Sequence, residues 1–149
     1  MKRNIVLVLA MVMAVLAAGC AANVPKLKQT ASGRPEALFV GENAAKVKNK
    51  VITDLATSKF MLTDSGDNYL LFSQPMSGGA EMFAQMAYGV NTSGTWFARY
   101  IFVPQGKDTF VTVHLYMEIV KPLGKQVLES TNNETFNAFQ KRLFDIGGQ

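Results

Sequence analysis

The chain is poor in the residues that carry most enzymatic and metal chemistry. Its 149 residues include one cysteine and one histidine. A single thiol closes no disulfide within the chain, so the fold must be held by packing alone. One His with one Cys cannot assemble the usual ligand sets of zinc or iron centres, and no metal or cofactor is expected. There is no Gly-x-Ser-x-Gly elbow and no phosphate loop, since Gly78-Gly79 is a lone pair in a turn. A Ser–His–acid triad has only His114 to draw on, and no motif sets a serine beside it. Asp64, Asp67, Glu81 and Glu118 show no context that marks a pair of glycosidase carboxylates. The chain therefore reads as non-enzymatic. A strong excess of one charge is also missing. The formal net charge is +4, and the basic residues are scattered, with no stripe interleaved with aromatics. No nucleic-acid partner is expected from that distribution.

Charge is absent from one stretch altogether, Asn4 to Val24. Lys2 and Arg3 form a basic start, Ile5 to Leu16 an apolar run, and Ala17, Ala18 and Gly19 a small-residue end directly before Cys20. This resembles the lipobox signal of bacterial lipoproteins, with Ala17 at the place usually held by Leu and Leu16 one place further out. The resemblance implies cleavage between Gly19 and Cys20, a diacylglyceryl group on the Cys20 sulfur and an acylated new N-terminus. It also implies a bacterial cell envelope location. Ala21 stands where an Asp retains enterobacterial lipoproteins at the inner membrane, so the outer membrane with the domain in the periplasm is the expectation. Two other readings of the leader stand beside it. The uncharged run is just long enough to span a bilayer by count, though its end is weak. An ordinary secretory signal cut near Ala17–Ala22 would leave a free thiol.

Residues 1–19 are thus expected to be a lipoprotein signal peptide, and 20–35 the acylated Cys and a flexible tether. The tether is rich in Pro, Gly, Ser and Lys and too poor in large apolar residues to fold, with Lys26, Lys28 and Arg34 solvated. Residues 36–149 are expected to form one domain, large enough for a single core.

Within that domain Glu42 to about Ser58 has helical spacing, with Ala44, Val47, Val51 and Leu55 on one stripe and Glu42 in the first turn. Lys59–Thr63 and Asn68–Ser73 read as a hairpin turned at Asp64–Asp67. Residues 80–90 have helix-forming composition, but Met82, Ala84, Met86, Tyr88 and Val90 alternate, and a strand is preferred. The three methionines Met82, Met86 and Met117 are expected to fill core gaps. Thr95–Val103 and Thr109–Val120 are the strongest strands, and Lys125–Glu129 a short edge strand. Glu134–Ile146 is a last helix with Phe136, Phe139, Leu143 and Phe144 on its apolar stripe. The expected class is α+β: a two-layer antiparallel sheet of five to six strands, with an N-terminal and a C-terminal helix on one face. This element order is similar to helix-grip and TATA-binding-protein-like domains, which recur in small envelope accessory lipoproteins.

The alternation of Val111, Val113, Leu115, Met117 and Ile119 sets the core side of the last long strand. An even hairpin across Gly106-Lys107 then puts Trp96, Ala98, Tyr100 and Phe102 on the same side. It throws Phe97, Arg99, Ile101, His114 and Tyr116 onto the other. Arg99 is expected opposite His114, with Phe97 and Tyr116 offering it an aromatic face and Glu118 reachable only diagonally. A solvated sheet face is mostly polar, and this one is not. Either another element covers it, such as the loop around Asn91, or it docks a partner. Two functions follow as expectations. The first is a membrane-anchored envelope lipoprotein, anchored through its lipid, that binds another envelope protein. The alternative is a periplasmic protein that holds a lipid or other small apolar ligand between sheet and helices.

Overall fold

The computed structural model describes residues 30–88, 92–130 and 132–149. The leader, Gly19, Cys20 and the loop at Asn91 lie outside the described residues, as do the first residues of the tether. The fold is α+β. Six strands form one antiparallel sheet, and three helices accompany it among the described residues.

The centre of the sheet is the hairpin of β4 (Ser93–Gln105) and β5 (Asp108–Lys121). Gly106 has φ 65°, and no non-glycine residue among the described residues has positive φ, so glycine takes the first central place of the turn. That is the type II′ arrangement, whose twist matches the flanking strands. The turn keeps even register: Phe102 opposes Val111, Tyr100 opposes Val113 and Ala98 opposes Leu115. These six side chains are all buried.

On the β4 side follow β3 (Tyr69–Pro75) and then β2 (Met61–Gly66), a hairpin with a register shift between Leu62 and Asp64. The strands run further than expected, because Asp64 to Gly66 pair in the ladder and leave only Asp67-Asn68 to turn. On the other side, two short strands share the edge of β5 end to end. β1 (Glu36–Phe39) pairs with Thr109–Thr112, and β6 (Gly124–Glu129) pairs with Tyr116–Lys121. The strand β1 was not expected. Four residues with Ala and Leu among them carry too little pattern to show alone, and burial of Ala37 and Phe39 is what holds them.

Three helices complete the chain. Helix α1 (Ala44–Ala56) starts after Asn43, whose side chain accepts from the Lys46 N–H at 2.9 Å. Glu42 therefore lies before the helix rather than in its first turn. It pairs with Lys50 at 2.8 Å and Lys46 at 3.3 Å, and the Lys50 hydrogen bond is the main cause of a carboxyl pKa below the usual range. Helix α2 (Gly79–Tyr88) replaces the strand expected over 80–90. Its Ala, Glu, Met and Gln content favours helix, Glu81 sits in the first turn, and Gly78 enters with φ 64°. On a helix, Met82 and Met86 turn outward and are 63% and 81% exposed, so they do not fill the core. Helix α3 (Asn133–Asp145) is capped by the Asn132 side chain, which accepts from the Glu134 N–H at 2.8 Å. Its buried residues are Phe139, Gln140 and Leu143, while Phe144 is 44% exposed. The stripe centres on Phe139 and Leu143, and Phe144 falls at its margin.

One buried cluster joins Val47, Val51 and Leu55 of α1, Phe139 and Leu143 of α3, and the inward residues of β1, β3, β4 and β5. Tyr100 sits at its middle, with Phe72 edge-on at 5.9 Å and Phe139 at 6.3 Å.

Candidate functional site

The pleat sends alternate residues of β4 and β5 to the face opposite that cluster. There Phe97 opposes Tyr116, Arg99 opposes His114, Ile101 opposes Thr112 and Val103 opposes Phe110. Arg99 and His114 thus meet across one antiparallel pair. Phe97 and Tyr116 stack face to face, with ring centroids 5.1 Å apart and planes 10° apart. Phe97, Ile101, His114 and Tyr116 are half-buried, and Arg99 is exposed.

The aromatic partner of Arg99 differs from the expected one. Phe97 and Tyr116 are occupied with each other, and the guanidinium lies instead 4.7 Å from the Tyr69 ring centroid. Tyr69 is on β3 opposite Ile101, and its hydroxyl donates to Asp64 Oδ2 at 2.7 Å. That hydrogen bond to a carboxylate pushes the Tyr69 pKa up. Glu118 does not reach Arg99 either. It forms an ion pair with Lys125, which β6 brings alongside. No ion pair among the described residues involves Arg99.

A residue of the expected tether completes the site. Thr30–Pro35 are folded onto the domain: the Thr30 hydroxyl donates to the Arg34 carbonyl at 2.6 Å, and the Pro35 carbonyl accepts from the Val113 N–H at 2.8 Å. This places Arg34 Nη1 at 3.2 Å from His114 Nε2 and Arg34 Nη2 at 3.8 Å from Glu129. Nothing in the sequence near His114 points to Arg34, because the contact depends on a four-residue strand that composition did not reveal. An arginine only donates, so Nε2 accepts and the ring proton of neutral His114 sits on Nδ1. Around these groups lies a cavity of about 220 Å³, lined also by Arg99, Tyr116 and Ser130.

Burial, then the positive charge of Arg34, holds the His114 pKa below its ordinary 6.5. The unfolded chain therefore binds this proton at higher pH than the folded one. The contribution is fully present above 6.5 and is lost as pH falls through the depressed folded value. The melting temperature is expected to drop as pH is lowered from about 8 toward about 5, the range in which histidine titrates. His114→Gln is expected to flatten that slope. A slope unchanged in the variant would assign it to other groups.

A second cavity of about 230 Å³ is lined by Phe60, Trp96, Phe97, Leu115 and Phe139. That is below the roughly 300–1,000 Å³ typical of small-molecule pockets. Among the described residues no group of three or more His, Cys, Asp or Glu side chains could hold a metal ion. No helix among them is long and apolar enough to cross a membrane. The chain matches no protein-family model and no curated protein.

Proposed function

We propose that this protein is a non-enzymatic, lipid-anchored accessory protein of the bacterial envelope that docks another envelope protein on the face bearing Phe97, Arg99, Ile101, His114 and Tyr116. The observation that carries the reading is Arg99. It is an exposed arginine without a carboxylate partner among the described residues, beside a stacked aromatic pair, on a sheet face away from the core. Aromatic residues and arginine are the side chains enriched at interfaces, and arginine paired with a partner's carboxylate is a frequent anchor. The anchor itself rests on the lipobox resemblance at Cys20, with the outer membrane and a periplasmic domain as the proposed location. We further infer that α1 and α3 cover the same face of the sheet. The support is that both helices contribute to one buried cluster with the inward residues of β4 and β5. Such an arrangement puts α1 and α3 on the side of the sheet away from Arg99.

Cross-linking in intact envelopes tests the docking. Phe97→Asp or Tyr116→Asp is expected to abolish the partner adduct, and Arg99→Ala to weaken it, without a change in membrane fractionation. An adduct that survives all three rejects the docking face. The anchor is tested separately. Cys20→Ser is expected to stay unprocessed or to leave the membrane fraction, and a variant that is still cut and still membrane-bound rejects lipidation. The alternative is a carrier of an apolar ligand. Native mass spectrometry showing one lipid per chain after gentle extraction would favour it.

A further inference from the structure

The edge of β5 changes partner at His114. Val113 donates its N–H to Pro35, where β1 begins, and Leu115 accepts from the Ser130 N–H, where β6 ends. The two edge strands abut without joining, and Pro35 has no N–H to return to the Val113 carbonyl. A notch opens between them, and the cavity of about 220 Å³ fills it.

The groups facing the notch are donors in excess of acceptors. Arg34 and Arg99 line it with His114, and the single carboxylate among the lining residues is Glu129. Glu129 holds Arg34 loosely, at 3.8 Å, and its side chain is 78% exposed. An exposed pair of that kind is easily exchanged for a better-seated anion. Ser130 also lines the notch, and its hydroxyl oxygen is buried with no hydrogen-bond partner among the described residues. Buried hydroxyls are as a rule satisfied, and a change of the Ser130 rotamer would let this one donate to an anion in the notch.

We propose that this notch binds a single carboxylate group, held by Arg34 and Ser130 with Arg99 at the rim, which displaces Glu129. The planar fork of Arg34 suits two oxygens in one plane. Glu129 makes the site too weakly positive to favour a phosphate dianion, and the cavity has room for a carboxylate and a few carbons. The inference rests on the docking reading only for the source of the group, an acidic side chain or terminal carboxylate of the partner. A free small carboxylate uses the same chemistry.

The test is an NMR titration of the full acylated chain in detergent micelles with sodium acetate, at constant ionic strength against sodium chloride. Saturable shifts are expected at His114, Ser130 and the arginine side chains, and the His114 titration midpoint should move up in acetate. Arg34→Gln is expected to weaken acetate about 10-fold or more, and Ser130→Ala about 3-fold. Both variants should keep the wild-type melting temperature. If Arg34→Gln loosens the fold, Arg34→Lys keeps the charge without the fork and should still bind acetate more weakly. Acetate shifts no larger than those of chloride overturn the proposal, as does tighter binding of inorganic phosphate. Wild-type acetate affinity in both Arg34 variants overturns it too. The source is read from cross-linking with acetate present. Loss of the partner adduct supports a carboxylate on the partner, and a persisting adduct with acetate bound supports a free one. If Phe97→Asp abolishes the adduct while acetate does not bind, the docking reading stands and the carboxylate site falls.

Discussion

Phe139→Ala is expected to destabilise the domain by about 3–5 kcal/mol, the usual loss for a buried phenylalanine cut back to alanine. Phe139 is 6% exposed and stands between two aromatic neighbours. Phe60 meets it edge-on at 5.7 Å, and Tyr100 lies at 6.3 Å. The side chain thus ties α3 both to the segment after α1 and to the centre of β4. Removing it leaves a void that neither ring can fill, because each is held by its own strand or loop. A domain of this size has about 5–15 kcal/mol to lose, so the variant is expected to be near its unfolding threshold at growth temperature. Denaturant unfolding checks this: the midpoint should fall with little change in slope. Phe144→Ala, at a position 44% exposed, is the control and is expected to cost well under half as much. A loss for Phe139→Ala no larger than that of the control would mean that α3 is not part of the core.

The central hairpin was legible because two long strands repeat their pattern over many residues. Five alternating apolar residues in β5 determine a face, and an even turn at Gly106 carries that face to β4. From there the opposition of Arg99 and His114 follows without any knowledge of the rest of the sheet. Helices α1 and α3 were legible for a similar reason, since each has a long apolar stripe and an Asn cap. Helix α2 was not. Ala84 is its one side chain described as buried, while Met82 and Met86, which the alternating pattern put on one strand face, are exposed. The alternation of large residues was compatible with both periods.

The electrostatics of the site were legible only in part. The opposition of two basic groups depends on strand register alone, which local pattern supplies. Arg34 depends on β1, and β1 depends on contacts with residues far along the chain. The same holds for the choice of Tyr69 over Phe97 and Tyr116 as the ring under Arg99, since Tyr69 reaches Arg99 from the neighbouring strand β3 and not from within the hairpin. Contacts made within one hairpin could be read, and contacts made across the sheet could not.

Gln140→Leu is expected to cost about 2 kcal/mol or more, although it changes a single polar side chain. In β1 the N–H and C=O groups of Glu36 and Leu38 point away from β5, toward what would otherwise be an open edge. Gln140 is buried, and its amide closes the first of these positions. The Glu36 N–H donates to Gln140 Oε1 at 2.9 Å, and Gln140 Nε2 donates to the Glu36 carbonyl at 2.7 Å. A primary amide presents an acceptor and a donor side by side, as a neighbouring strand does. Gln149 closes the second position with its own backbone, exchanging two bonds of 3.0 Å with Leu38. Gly148 lets that segment come close, since an added Cβ would lie 2.6 Å from the Ala37 Cβ and 2.8 Å from the Leu143 carbonyl oxygen. Leucine at 140 keeps the volume but leaves two half-buried backbone groups of Glu36 without their partner, each costing about 1–3 kcal/mol where nothing replaces it. The loss should appear as a lower denaturation midpoint and as faster hydrogen exchange at the Glu36 amide. An uncapped edge strand is also a template for pairing with a second copy, so light scattering should detect concentration-dependent association in the variant. Because β1 sets the position of Arg34, the 3.2 Å contact with His114 should loosen as well, and the His114 pKa should rise toward 6.5. Wild-type exchange at Glu36 together with wild-type stability would show that Gln140 is not what closes this edge.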